Sequence, residues 1–214
     1  NAVFTSLVSN YTLKNSTNIS GFSVKSYGNL RMGENRMHGF KNWGKEAVIT
    51  KGNIQKGTNY QQTDFFHKTL FKLNNNNFIL FNSQFSTSSN INRFDKLNDI
   101  EDGKQKYQYW YYGPQKRFFQ SLQLKNYYTN SFYDEAVFTV AYQNIEESRH
   151  KQKNGEEFLN NRVESLQIID FKSDFLKRFN LFNLNYGFDS RFQKLNSTAN
   201  LSNKNALFYN SSRY

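Results

Sequence analysis

The side chains with chemical potential fall into a few separated groups. Three histidines, His38, His67 and His150, lie far apart in the chain. Histidine is a metal ligand and a proton carrier near neutral pH, but ligation needs several such groups together. A run holding Arg93, Asp95, Lys96, Asp99, Glu101 and Asp102 offers carboxylates beside cations. Paired carboxylates can do acid–base work, yet no nucleophile, base and orienting group assemble around them, so ion pairing is the expected role. Glu146, Glu147 and Arg149 suggest pairing between loops in the same way. A basic–aromatic segment carries Arg31, Arg36, His38, Lys41 and Lys45 with Phe40 and Trp43. Guanidinium groups and ring faces of this kind suit an anionic chelate or surface phosphates. Tyr107, Tyr109, Trp110, Tyr111 and Tyr112 form an aromatic cluster. The candidate ligand contacts are therefore Arg31, Arg36, His38, Trp43, Arg93, Tyr107 and Trp110. No catalytic residue, metal centre or cofactor is expected.

Composition narrows what could position these groups. The 214 residues are 37% hydrophobic, but aromatics alone supply 18%, and mean hydropathy is −0.83. Disordered chains are poor in aromatics, and an ordinary core needs more aliphatic residues than this. A wall with one oily face, one wet face and ringed edges fits better. With no cysteine, disulfides and thiol chemistry are excluded. No apolar run approaches the length of a transmembrane helix, so a membrane could be crossed only by strands. The net charge is +11 and the pI about 9.6. Its basic residues are scattered, which predicts no nucleic-acid partner. The first residue is Asn, and the chain is expected to be an internal fragment of a larger protein.

Period-two alternation runs the length of the chain and predicts eight strands. They cover Ala2–Leu13, Ile19–Tyr27, Gln61–Leu73, Phe78–Ser88, Lys106–Lys125, Asp134–Ser148, Val163–Phe175 and Leu181–Phe192. In the last, Phe182, Leu184, Tyr186, Phe188 and Phe192 oppose Asn183, Asn185, Gly187, Asp189 and Arg191. The 20 residues of Lys106–Lys125 would reach about 65 Å as one strand, against an apolar band of roughly 25 Å in an outer-membrane barrel. The aromatic cluster and the single Pro114 would mark where that strand leaves lipid. Connections between strands alternate short and long, Arg149–Glu157 being one of the longer ones. That pattern predicts an antiparallel transmembrane β-barrel segment, with short periplasmic turns and long extracellular loops.

Five stretches carry a family likeness as a set: LRMGENRMHGFKNWG (Leu30–Gly44), QFSTSSNINRFDKL (Gln84–Leu97), YWYYGPQKR (Tyr109–Arg117), YQNIEESR (Tyr142–Arg149) and YGF (Tyr186–Phe188). In order and spacing they resemble the barrel of TonB-dependent outer-membrane receptors of the Bacteroidetes type, over nearly the whole chain. The resemblance implies that residues 1–214 are the first eight or so strands of a 22-stranded barrel, with the plug domain and TonB box outside this chain. It implies a bacterial outer-membrane location and import of a scarce nutrient, a ferric siderophore or haem, energised by the TonB complex. Outer-membrane lipid and lipopolysaccharide would surround it. The competing expectation is a soluble or surface-attached all-β protein that binds polysaccharide or nucleic acid through its charge and aromatic platforms.

Overall fold

The computed structural model describes residues 2–31, 54–202 and, as backbone alone, 209–211. It is an all-β structure with elements β1 (Ala2–Leu13), β2 (Ser16–Tyr27), β3 (Leu30–Arg31), β4 (Ile54–Gln55), β5 (Tyr60–Lys72), β6 (Asn77–Ser88), β7 (Ile91–Asn92), α1 (Phe94–Leu97), β8 (Ile100–Glu101), β9 (Lys104–Gln105), β10 (Tyr107–Tyr112), β11 (Lys116–Asn126), β12 (Glu135–Lys153), β13 (Leu159–Arg178), β14 (Asn183–Ser202) and β15 (Tyr209–Ser211). The long strands form one antiparallel sheet in the order β1-β2-β5-β6-β11-β12-β13-β14-β15, with β10 alongside β12. Two short two-stranded ladders, β3-β4 and β8-β9, are separate from it. The sheet is open and does not close into a barrel.

Directly opposed residues in a ladder share a face. Following the registers, Leu13, Ser16, Phe71, Ile79, Leu124, Phe138, Ser173 and Phe188 form one continuous row across eight strands. Tyr11, Asn18, Thr69, Phe81, Leu122, Val140, Phe171 and Ser190 form the next row on the same side. The strands from β6 to β14 set most of their large apolar side chains on this face, while β5 divides its own, with Phe66 and Leu70 on the other. Lys68, Asn82, Ser121, Ala141, Asp170 and Arg191 share the other. Among the described residues nothing covers the oily side: Leu122 and Val140 are each 50% exposed and Phe188 59%. Among the described residues, only Trp110, Ala136 and Ala141 are buried and apolar. The described strands form one layer, with no interior.

The apolar face is bounded by aromatic rows. At the turn end, Phe175 packs against Tyr133 (5.7 Å), Phe138 (5.5 Å) and Tyr186 (5.1 Å), and the Tyr186 hydroxyl donates to the Phe132 carbonyl at 2.7 Å. At the other margin lie Phe65, Phe85 and Phe118, the last edge-on to Tyr142 at 6.4 Å. Just beyond them the same face turns polar, with the Lys116–Glu146 ion pair at 2.8 Å.

The closing pairs of the hairpins are staggered. On the row through Leu13 and Ser16 the first hairpin closes. The next closes at Lys72–Phe78, one residue past Phe71 (72 − 71). The third closes at Asn126–Ala136, two past Leu124 (126 − 124), and the fourth at Arg178–Asn183, five past Ser173 (178 − 173). Strands tilted to a common axis require such a progressive offset.

The structure corrects three expectations. The stretch 106–125 is two strands, not one: β10 and β11 both lie along β12, interrupted at 113–115, where Pro114 has no N–H for a ladder. The aromatic cluster does not rim the oily band. Tyr111 and Tyr112 pair with His150 and Arg149, seven residues beyond Tyr142 (149 − 142), so they lie along the sheet past the end of the oily rows. The connection expected at Arg149–Glu157 is short, because β12 and β13 continue as a ladder to Lys151–Asn160 and turn only at 154–158. There both faces are polar, and alternation no longer marks the strand. With 19 residues in β12 and 20 each in β13 and β14, these are the longest strands of the sheet.

Candidate functional site

Alternation puts the polar residues of β5, β6, β11 and β12 on one face, and there they line a concavity of about 710 Å³. Asp64 is its hub. Its carboxylate accepts from the Ser86 hydroxyl (2.6 Å), the Gln62 amide (2.8 Å), the Lys25 ammonium (2.9 Å) and the Ser23 hydroxyl (3.2 Å). These donors come from β2, β5 and β6, so Asp64 ties three strands together. A carboxylate so fully engaged is a fixed acceptor and not a free base. Phe66, Lys68, Gln84, Arg117 and Ile145 are among its other lining residues. Arg117 donates twice to the Gln143 amide oxygen, at 2.9 and 3.2 Å, and lies 5.7 Å over the Phe119 ring. Such a surface can hold a ligand by polar and stacking contacts; it presents no nucleophile beside a base.

Of the sequence candidates, Arg93 and Trp110 meet. The Arg93 guanidinium lies 4.9 Å above the Trp110 ring, and the Arg93 N–H donates to the Trp110 carbonyl at 3.0 Å. Arg93 also bonds Asp95 at 2.8 Å and donates to the Tyr112 hydroxyl oxygen at 3.2 Å. Asp95 holds the guanidinium pKa above its ordinary value. Trp110 is 5% exposed and stands edge-on to Tyr112 at 4.8 Å. Its ring is a packed support and offers a ligand no open platform. Tyr107 packs separately, half-buried, with the Lys106 ammonium 5.8 Å over its ring. Arg31 ends β3 opposite Ile54 and is exposed. Arg36, His38 and Trp43 lie outside the described residues, as do Phe40, Lys41 and Lys45.

Two histidines sit in satisfied networks. The Ser20 hydroxyl lies 2.7 Å from His67 Nδ1 and the Thr69 hydroxyl 2.8 Å from Nε2. Thr69 in turn donates to Asn18 at 2.7 Å. This closed cluster lets polar groups sit on the apolar face. His150 is bonded to Asn161 at 2.5 Å and Ser148 at 2.9 Å, and stacks on Tyr111 at 4.6 Å. Among the described residues no three His, Asp or Glu side chains gather as a metal site.

The sequence missed the Asp64 hub, since nothing in spacing says which strands become neighbours. It also missed Arg162 and Glu164. These stand opposite Arg149 and Glu147, so that like charges face each other across β12 and β13. Glu146 pairs with Lys116, but Glu147 and Arg149 form no ion pair among the described residues. No protein-family model matches the chain, and no curated protein matches it.

Proposed function

We propose that this chain is part of the wall of an outer-membrane receptor, a segment of a TonB-dependent barrel that binds a scarce nutrient, a ferric siderophore or haem, and passes it inward. The observation that carries this reading is the bare apolar face. Across eight antiparallel strands most of the oily alternates face one side, rimmed by aromatic rows, and no second layer of described residues covers them. In water, exposure on this scale would drive aggregation. Against lipid it is the ordinary outside of a barrel. The staggered hairpins supply the tilt that closure needs, and the edge of β1 and the stretch of β14 before its pairing with β15 are where further strands would continue the wall. The polar face then lines the lumen, with the Asp64 concavity and the Arg93–Trp110–Tyr112 unit along the route of the cargo.

Fractionation of cells expressing the full-length protein tests the location. The protein is expected in washed outer membranes, released only by detergent; recovery in the soluble fraction would end the proposal. Uptake of a radiolabelled ferric chelate, expected to need both the receptor and TonB, tests the transport step.

A further inference from the structure

Two like-charged pairs stand one above the other on the polar face. Glu147 is directly opposite Glu164, and two residues further up Arg149 is directly opposite Arg162, in an unbroken β12-β13 register. Cβ atoms of opposed residues are only about 5 Å apart, and facing like charges oppose folding. No ion pair relieves them among the described residues; Glu147 only accepts a 3.4 Å bond from the Gln115 amide. On the far side of β13, Arg162 faces Ala199 and Glu164 faces Ser197, side chains too small to fill the space. The four charges, with Tyr112 and Ser148, line a notch of about 190 Å³.

We propose that this notch binds a small zwitterion of the amino-acid or dipeptide class. Its carboxylate would bridge Arg149 and Arg162, and its ammonium would sit between Glu147 and Glu164. The two rows are about 7 Å apart along the strands, a spacing the flexible side chains can shorten to meet both ends of such a molecule. The charges sum to zero, so the notch does not favour a simple anion or cation; a dipole aligned with the rows neutralises both pairs at once. Tyr112 adds a donor. Its hydroxyl oxygen already accepts from Arg93, which leaves its own proton for the carboxylate. Arg93 is itself fixed by Asp95 and Trp110, making it a positioning residue for Tyr112. The volume admits a dipeptide and excludes a whole siderophore.

This inference rests on the polar face being accessible from outside, as in the proposed receptor. Calorimetric titration of the full-length protein in detergent with glycylglycine, N-acetylglycylglycine and glycylglycinamide tests it. Saturable binding of glycylglycine is expected, at least tenfold tighter than either blocked analogue. Glu164→Gln should remove the discrimination against the acetylated form, and Arg162→Gln that against the amide; circular dichroism checks that both variants keep their sheet. Absence of saturable glycylglycine binding, equal binding of the acetylated peptide, or indifference to both substitutions would overturn the assignment. Whether the same preparation needed detergent is read separately, so failure of the notch and failure of the receptor are distinguishable.

Discussion

Phe66 lays its ring directly over Gly21, its cross-strand partner on the polar face, occupying the space a Cβ would need. Gly187 has a harder neighbour: a Cβ there would meet the Ser173 carbonyl oxygen, which is backbone. Alanine at either position forces movement, but a ring can swing aside where a ladder cannot. Gly187→Ala is expected to destabilise the folded wall by about 1–3 kcal/mol, the usual range for overpacking, and Gly21→Ala by less. Phe66→Ala should make Gly21→Ala nearly neutral. Urea titrations of the full-length protein in lipid vesicles, run as a double-mutant cycle, provide the comparison.

The two faces of one strand should respond oppositely to charge. Val140→Arg places a cation within the apolar band and is expected to cost about 2–4 kcal/mol, whereas Thr139→Arg, on the polar face, should cost little. Equal costs in the same vesicle assay would contradict a lipid-facing surface.

Arg93 holds Trp110 and Tyr112 in place by ring stacking and a hydrogen bond. Lysine keeps the charge but loses the planar fork and the stack. Arg93→Lys should weaken this contact by about 0.5–1 kcal/mol and raise iodide quenching of Trp110 fluorescence in a variant lacking Trp43. Unchanged quenching would show that the guanidinium is not what shields the ring.

At the turn end, Asp134 accepts from the Arg178 backbone N–H at 2.6 Å and from the Lys177 ammonium at 3.2 Å. These bonds, the Arg178 N–H foremost, hold the carboxyl below its ordinary pKa. A depressed carboxyl stabilises the fold above the ordinary carboxylate range, and that contribution disappears as pH falls through the lowered value. The link between this turn and β13 should therefore survive pH 5 and loosen only in stronger acid. An NMR titration of the Asp134 carboxyl carbon and the Arg178 amide should give a shared midpoint below that of an unfolded peptide. Lys177→Met is expected to raise it.

All eight long strands were legible in the sequence, because parity is written wherever one face is oily. Phe182 to Phe192 could be placed on one side with no knowledge of neighbours. Legibility ended where oil ended: above Tyr142, residues such as His150 and Arg162 are polar on both faces, and a strand looked like a loop. The break at Gly113–Pro114 was hidden because both halves still run along β12. The site was less legible than the fold. Arg93 and Trp110 were each suspect by type, but their contact depends on a fold of the chain that spacing does not encode. The Arg149–Arg162 opposition exists only in the register.

The 20 residues of β13 would extend roughly 65 Å at strand rise, well over twice the height of a hydrocarbon slab. In the proposed receptor, much of this stave would stand in water as a chimney above the bilayer. A solute would enter charged, screened surroundings and be sorted there, long before it came level with the first lipid tail.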